Sequence, residues 1–291
     1  MKKGRLFMNV QIITDSASDL PEELVQKHNL EIMPLIVILE EKEYYDREEI
    51  QSKALYTALR EGRLAKTSQI PPARIKETFT KFAKEGQPFI YIGLSSEISG
   101  TFQSAAVIKN EVQEEFPDVQ MEVVDSRGAS LGYGLMAIHA SKLAEQGKSV
   151  EEILDSLKDS YIEHMEHIFT VDDLDFLQRG GRVSKASAFF GGMLKIKPIL
   201  HVEDGKLVPI EKVRGKNKVY KRMVEIMEER GVNLQSQLIG ISHGDDLESA
   251  EKLKEAIQEK YGGQDFIITE VGATIGSHSG PGTLALFFLN K

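Results

Sequence analysis

The chain has 291 residues, a length that at roughly 150 per domain favours two domains over one. Hydrophobic residues make up 41% and charged residues 28%, enough to bury a core, while the net charge of −9 sets the surface as a whole against nucleic acid and anionic membrane. Cysteine is absent, which removes disulfides, thiolate catalysis and cysteine-ligated zinc together and suits a reducing, cytoplasmic setting.

Residues 1–7 carry Lys2, Lys3 and Arg5 with no apolar run of signal-peptide length behind them, so they read as a leader to the first strand. No window approaches the ~18 apolar residues of a membrane span, and no stable membrane insertion is expected. Residues 10–13 form a buried strand. A helix then opens at Asp19-Leu20-Pro21-Glu22, where Asp19 can cap free N–H groups and Glu22 can complete a capping box. Residues 33–39 read as a second strand. Asp46 to Glu49 repeats the capping pattern before a helical stripe of Ile50, Ala54, Leu55, Ala58 and Leu59. Strands at 89–94 and 121–124 each deliver the chain into a small-residue loop and another helix. Such alternation implies a mostly parallel, Rossmann-like sheet with helices on both faces, and ligands gather at the carboxyl ends of its strands.

From Ser149, which with Glu152 makes a capping box, the pattern changes. Strand-like runs at 196–202 and 207–213 flank Asp204-Gly205, a hairpin turn signal, so this half should hold antiparallel pairing. Helices follow at 218–230 and 247–261. The expectation is two α/β domains, 1–160 with a parallel sheet and 161–291 with a mixed or antiparallel one, and a ligand site between them.

Five loops are rich in small hydroxyl residues: 15–19, 67–69, 95–101, 125–126 and 276–282. Hydroxyls and backbone N–H groups at helix N-termini make an anion site without a formal positive charge, although any one such serine is ordinarily a cap. Ser99 reads as the cap of the helix after residue 100, which leaves Ser95 and Ser96 free. His278 is framed by Gly276, Gly280 and Gly282, which permit close backbone approach to a ligand. Asp15 and Asp19 lack the second acid of an aspartyl-phosphate motif, since residue 17 is Ala. Gly93-Leu94-Ser95-Ser96-Glu97 is not a nucleophile elbow. The seven histidines are scattered, and the nearest pair, His164 and His167, has no carboxylate cluster, so no metal is expected.

These loops, taken in order, resemble the DegV family of bacterial fatty-acid-binding proteins, which act as the lipid-carrying component of fatty-acid kinase. The matching segments are 13–16, 66–69, 95–105, 124–126, 177–182, 197–200 and 276–282. They span the chain after Met8 in the family's order. One departure stands at Ile70, which intervenes before Pro71 where the family's motif usually runs Thr-Ser-Gln-Pro. The resemblance implies a protein that is not itself an enzyme: it buries a long-chain fatty acid and presents the carboxylate to a kinase subunit. It assigns Thr67, Ser68, Ser95, Ser96 and His278 to the ligand, with Asp15 and Asp125 as supporting neighbours. Arg179, Arg214 and Lys216 resemble partner-facing positions; a solvated hairpin end, or pairing of Arg179 with Asp172 or Asp173, is the structural alternative.

The bound fatty acid is then the only ligand implied. At ~0.8 kcal/mol per buried CH₂ its affinity comes from an apolar tunnel, and a head-group grip of hydroxyls and one imidazole, with no Arg, leaves an oxygen accessible. Candidate walls are 188–190, 193–194, Ile98, Phe102, Leu131 and Ile275, each of which serves equally as core, and 189–192 would suit a gate. No phosphate-binding loop is present, so the nucleotide belongs to the partner. The competing expectation is a serine hydrolase or acyltransferase pairing Ser95 or Ser96 with His278.

Overall fold

The computed structural model describes residues 9–183 and 196–291. The first sheet is parallel throughout, in the order β2-β1-β6-β7, with β1 Gln11–Asp15, β2 Glu31–Met33, β6 Phe89–Gly93 and β7 Met121–Asp125. All five residues of β1 and of β6 are buried, as expected of strands covered on both faces. The order reverses between β1 and β6, which opens a crevice at their carboxyl ends. There Asp15 accepts hydrogen bonds from the backbone N–H of Leu94 at 3.1 Å and of Ala17 at 3.1 Å.

The second sheet is mixed, in the order β10-β9-β8-β13-β11-β12. Its strands are β8 Met165–Thr170, β9 Ile196–Glu203, β10 Lys206–Arg214, β11 Leu238–His243, β12 Asp265–Glu270 and β13 Leu284–Leu289. Only β11 and β12 pair in parallel; the other neighbours are antiparallel. The β9–β10 hairpin turns on Asp204 (φ 49°) and Gly205 (φ 78°), two left-handed residues, as the Asp-Gly pair predicts.

Helix α5 (Leu131–Glu145) lies between the sheets, packed against β1 and β6 of one and β8, β11 and β13 of the other. Its residues are apolar on nearly every side because both sides are covered. One hydrophobic cluster therefore runs from Ile13 and Tyr91 through Tyr133 and Met136 to Phe169 and Phe287. The expected helix α9 (Leu247–Tyr261) forms, as does α8 (Lys216–Arg230), which begins two residues early. The capping box opens α6 (Val150–Leu157): Glu152 N–H donates to Ser149 Oγ and Ser149 N–H to the Glu152 carboxylate.

Three local expectations fail, each for a tertiary reason. The strand expected at 33–39 breaks at Pro34, because β3 (Ile36–Leu39) leaves the parallel sheet and joins β4 (Lys42–Tyr45) and β5 (Ala65–Ser68) in a small antiparallel sheet. Asp19 does not cap α1 (Glu22–Lys27); it takes a left-handed turn and aims its carboxylate inward at Gly272 N–H, 2.8 Å away. Asp46 likewise ignores α2 (Ser52–Arg60) and accepts from Thr274 N–H at 3.1 Å and Thr274 Oγ1 at 2.6 Å. Both acids anchor the start of α10 (Ala273–Ser279), a helix their sequence neighbourhood gives no hint of.

Candidate ligand cavity

A cavity of about 320 Å³ lies between the two sheets, and both halves of the chain line it. Its apolar wall includes Leu35, Leu94 and Ile98 from the first half and Phe169, Leu207 and Phe287 from the second. Ser68 and Gln69, both exposed, mark where it reaches the surface.

Thr67 is the last residue but one of β5, paired with Val37, and α10 packs against both of these strands. There Thr67 Oγ1 lies 2.6 Å from His278 Nε2. The other ring nitrogen, Nδ1, faces Gly180 so closely that a Cβ there would sit 2.2 Å from it, so only glycine fits beside the imidazole. Burial, reinforced by the nearby positive charge of Arg182, pushes the His278 pKa down to about 4, and the ring is neutral at pH 7.

The sequence-assigned residues divide. Thr67, Ser68 and His278 line the cavity; Ser95 and Ser96 do not. The Ser95 hydroxyl is fully buried and donates to the carbonyl of Gly205 at 2.8 Å, at the tip of the β9–β10 hairpin. Ser96 N–H donates to Asp125 Oδ1 at 3.1 Å, so Asp125 supports this loop. The cavity-lining serine of the loop is Ser99, which sequence reasoning spent on capping. The N-cap position of α4 (Thr101–Glu115) is Gly100, yet Ser99 Oγ still accepts from the Thr101 N–H at 3.3 Å and sits 3.0 Å from Thr101 Oγ1, so it serves the helix start as well as the cavity. Among the described residues no serine hydroxyl bonds to His278, whose partner is Thr67, so neither Ser95 nor Ser96 is paired with it as the hydrolase expectation requires.

Arg182 is the second residue missed. It lines the cavity half-buried, donating to the carbonyls of Ile98 and Gly180, and has no carboxylate partner among the described residues. A fixed cation thus stands beside the hydroxyls, contrary to the expected grip without arginine. Asp15 lies behind the cavity, held by the hydroxyls of Tyr91 at 2.7 Å and Tyr133 at 2.5 Å; burial raises its pKa. It shapes the Leu94 turn and touches no ligand space.

Of the expected walls, Ile98 and Ile275 line the cavity, Leu131 is fully buried core, and half-buried Phe102 lies off it. Residues 188–190, 193–194 and the gate at 189–192 lie outside the described residues. Ile70 is fully buried in the core and Pro71 caps α3 (Pro72–Lys84), so the extra residue is absorbed before the helix starts. Arg179 is exposed over the Phe176 ring, 4.8 Å from its centroid, with neither Asp172 nor Asp173 as its partner; Asp172 pairs with Lys197 at 2.7 Å. Lys216 pairs with Asp246 at 2.7 Å, and Arg214 ends β10. Among the described residues no group of acids and histidines could hold a metal, and no helix is long and apolar enough to cross a membrane.

A parallel sheet whose strand-end loops meet a second, mixed sheet across a cavity lined by apolar side chains, hydroxyls, the imidazoles of His167 and His278 and one guanidinium makes this an α/β protein with a candidate small-ligand site. The chain belongs to the DegV family: the family model described as "Uncharacterised protein, DegV family" matches residues 9–291. A DegV domain-containing protein of Clostridium perfringens is 41% identical over 281 residues, covering 96% of each chain. Among solved structures, a DegV family protein from Thermus thermophilus described by its fatty acid binding superposes with a TM-score of 0.88 at 31% identity, over 96% of this chain and 99% of that one. DegV from Bacillus subtilis, described as a fatty acid binding protein, gives a TM-score of 0.86 at 34% identity, over 98% and 100%.

Proposed function

We propose that this protein binds a long-chain fatty acid in the cavity and presents its carboxylate to a partner kinase, catalysing nothing alone. The observation that carries the reading is the Thr67–His278 pair in a cavity whose wall also carries Leu35, Leu94, Ile98, Phe169, Leu207 and Phe287. A fatty acid has the matching polarity, one anionic end and a tail whose burial supplies the affinity. The fatty-acid binding described for the Thermus and Bacillus relatives supports it.

In this reading Thr67, Ser68, Ser99 and His278 surround the head group, and Arg182 supplies the charge that keeps a buried carboxylate ionised. Ser95 and Ser96 act one step back, shaping the loop that carries Ser99. Because Ser68 is exposed, one face of the carboxylate stays open to a phosphoryl donor. Arg179, exposed and without a carboxylate partner among the described residues, joins Arg214 and Lys216 on the side offered to the kinase. The division into 1–160 and 161–291 puts the ligand between two domains, so both must be in place before it is held.

Mass spectrometry of the intact protein under native conditions, after expression in bacteria, tests the reading. A fatty acid should accompany the chain and exchange with added palmitate. A chain that carries none and takes none up would refute it.

A further inference from the structure

Helix α10 turns Thr274, Ile275, His278 and Ser279 to the cavity, two adjacent pairs set one helical turn apart. Three of these side chains are engaged. Thr274 Oγ1 donates to Asp46, Ile275 packs on the apolar cluster, and His278 Nε2 meets Thr67. Ser279 is different: it is 5% exposed, and its hydroxyl has no hydrogen-bond partner among the described residues.

That hydroxyl has a local outlet it does not use. A helical serine readily donates to the carbonyl four residues back, and Ser277, two positions earlier, does so to Ala273 at 2.7 Å. Ser279 has no such bond. Its backbone is nevertheless fixed, since Thr283 Oγ1 donates to the carbonyls of Ser279 at 3.0 Å and Gly280 at 2.8 Å. A buried hydroxyl without a partner destabilises the fold that holds it, and alanine would fill the same space without that cost. A donor held still, unpaired and on the cavity face of the helix is arranged for a ligand atom.

We infer that Ser279 is a further head-group residue, donating its hydroxyl hydrogen to the carboxylate of the bound fatty acid beside His278. The inference rests on the fatty-acid reading above. It adds a donor where the neutral imidazole is already paired with Thr67, since Ser279 follows His278 directly on α10 and lines the same cavity.

The test uses the full chain and Ser279→Ala, with palmitate and hexadecanol competing against a fluorescent fatty acid. The expected result is a loss of palmitate affinity of about tenfold, with hexadecanol affinity unchanged. The ligand-free variant should melt at or above the wild-type temperature, because an unpartnered hydroxyl has gone. Ser279→Thr, which keeps the donor, should keep the preference for acid over alcohol. Unchanged palmitate affinity in Ser279→Ala overturns the inference, as does an equal loss for acid and alcohol, which would mark a packing role. A wild-type chain that takes neither compound overturns the fatty-acid reading itself, and the two failures are told apart by that control.

Discussion

Thr67 Oγ1 and His278 Nε2 stand 2.6 Å apart although 211 residues separate them in the chain. The contact joins the end of the small antiparallel sheet to the end of α10, and in the proposed function it is where the carboxylate docks. Thr67→Val keeps the shape and removes the hydroxyl. Palmitate affinity, measured by titration calorimetry, should fall about 10- to 100-fold, the size of one or two hydrogen bonds to a charged group. Thr67 is only half-buried, so the melting temperature without ligand should move by no more than a few degrees. An unchanged affinity would remove Thr67 from the head-group site.

The histidine of this pair carries a pH signature. Its pKa is about 4 in the fold and near 6.5 when unfolded, so below pH 6.5 the unfolded chain binds the extra proton. Stability therefore rises with pH between about 4 and 6.5 and is lost as pH falls through that window. His167, also held at about 4 by burial, adds a slope of the same sign. Denaturation with urea at pH 4.5, 5.5, 6.5 and 7.5 should show a shallower slope for His278→Gln than for the wild type. Identical slopes would mean that the imidazole is not held neutral.

How much of this was legible in the sequence depended on how local each cause was. The buried strands β1 and β6, the Asp204-Gly205 hairpin and the Ser149–Glu152 capping box rest on residues near one another in the chain, and all form as read. Asp19 and Asp46 had sound local capping patterns and were drawn away by N–H groups more than 220 residues later. Ser99 does take a helix-start N–H, that of Thr101, as a serine before a helix ordinarily does, and nothing local says that it also lines the cavity. Ser95 attracted attention for its free hydroxyl, which proves to be spent on a hairpin tip 110 residues away. Arg182 sat inside a recognised motif, but nothing in its spacing says that the guanidinium turns back toward the cavity.

The hairpin tip provides a stability test. Gly205 has φ 78°, and a Cβ there would stand 2.6 Å from Ser95 Oγ and 3.3 Å from Glu97 Cγ. Gly205→Ala should destabilise the fold by about 1–3 kcal/mol, combining a left-handed conformation with displacement of the Ser95 loop. Ser95→Ala removes the hydrogen bond and leaves the Gly205 carbonyl unpaired, which should cost about 1 kcal/mol. If Ser95 acts by holding the loop, its variant also weakens palmitate binding less than Thr67→Val does. The reverse order in a side-by-side titration would place the Ser95 hydroxyl on the ligand itself.

Asp19 should give the opposite pH slope to the histidines. Burial raises its pKa from 3.8 to about 8, with the nearby Asp46 adding to the rise and Arg47 opposing it, so the folded protein holds this proton at neutral pH. The unfolded chain gives it up near pH 4. Its contribution is therefore full below that value and is lost as pH climbs through about 8. Protonated, its Oδ2 can donate to Ser130, whose hydroxyl lies 3.1 Å from that of Ser242, while Oδ1 still accepts from Gly272 N–H. Asn offers the same pattern without a charge: its carbonyl accepts from Gly272 and its amide donates to Ser130. Asp19→Asn should gain on the wild type as pH rises from 5 to 9, where the wild type must hold a buried carboxylate, by on the order of a few kcal/mol. Urea midpoints for both proteins at the two pH values decide it, and a variant that loses stability equally at both would show that Asp19 is ionised in the fold.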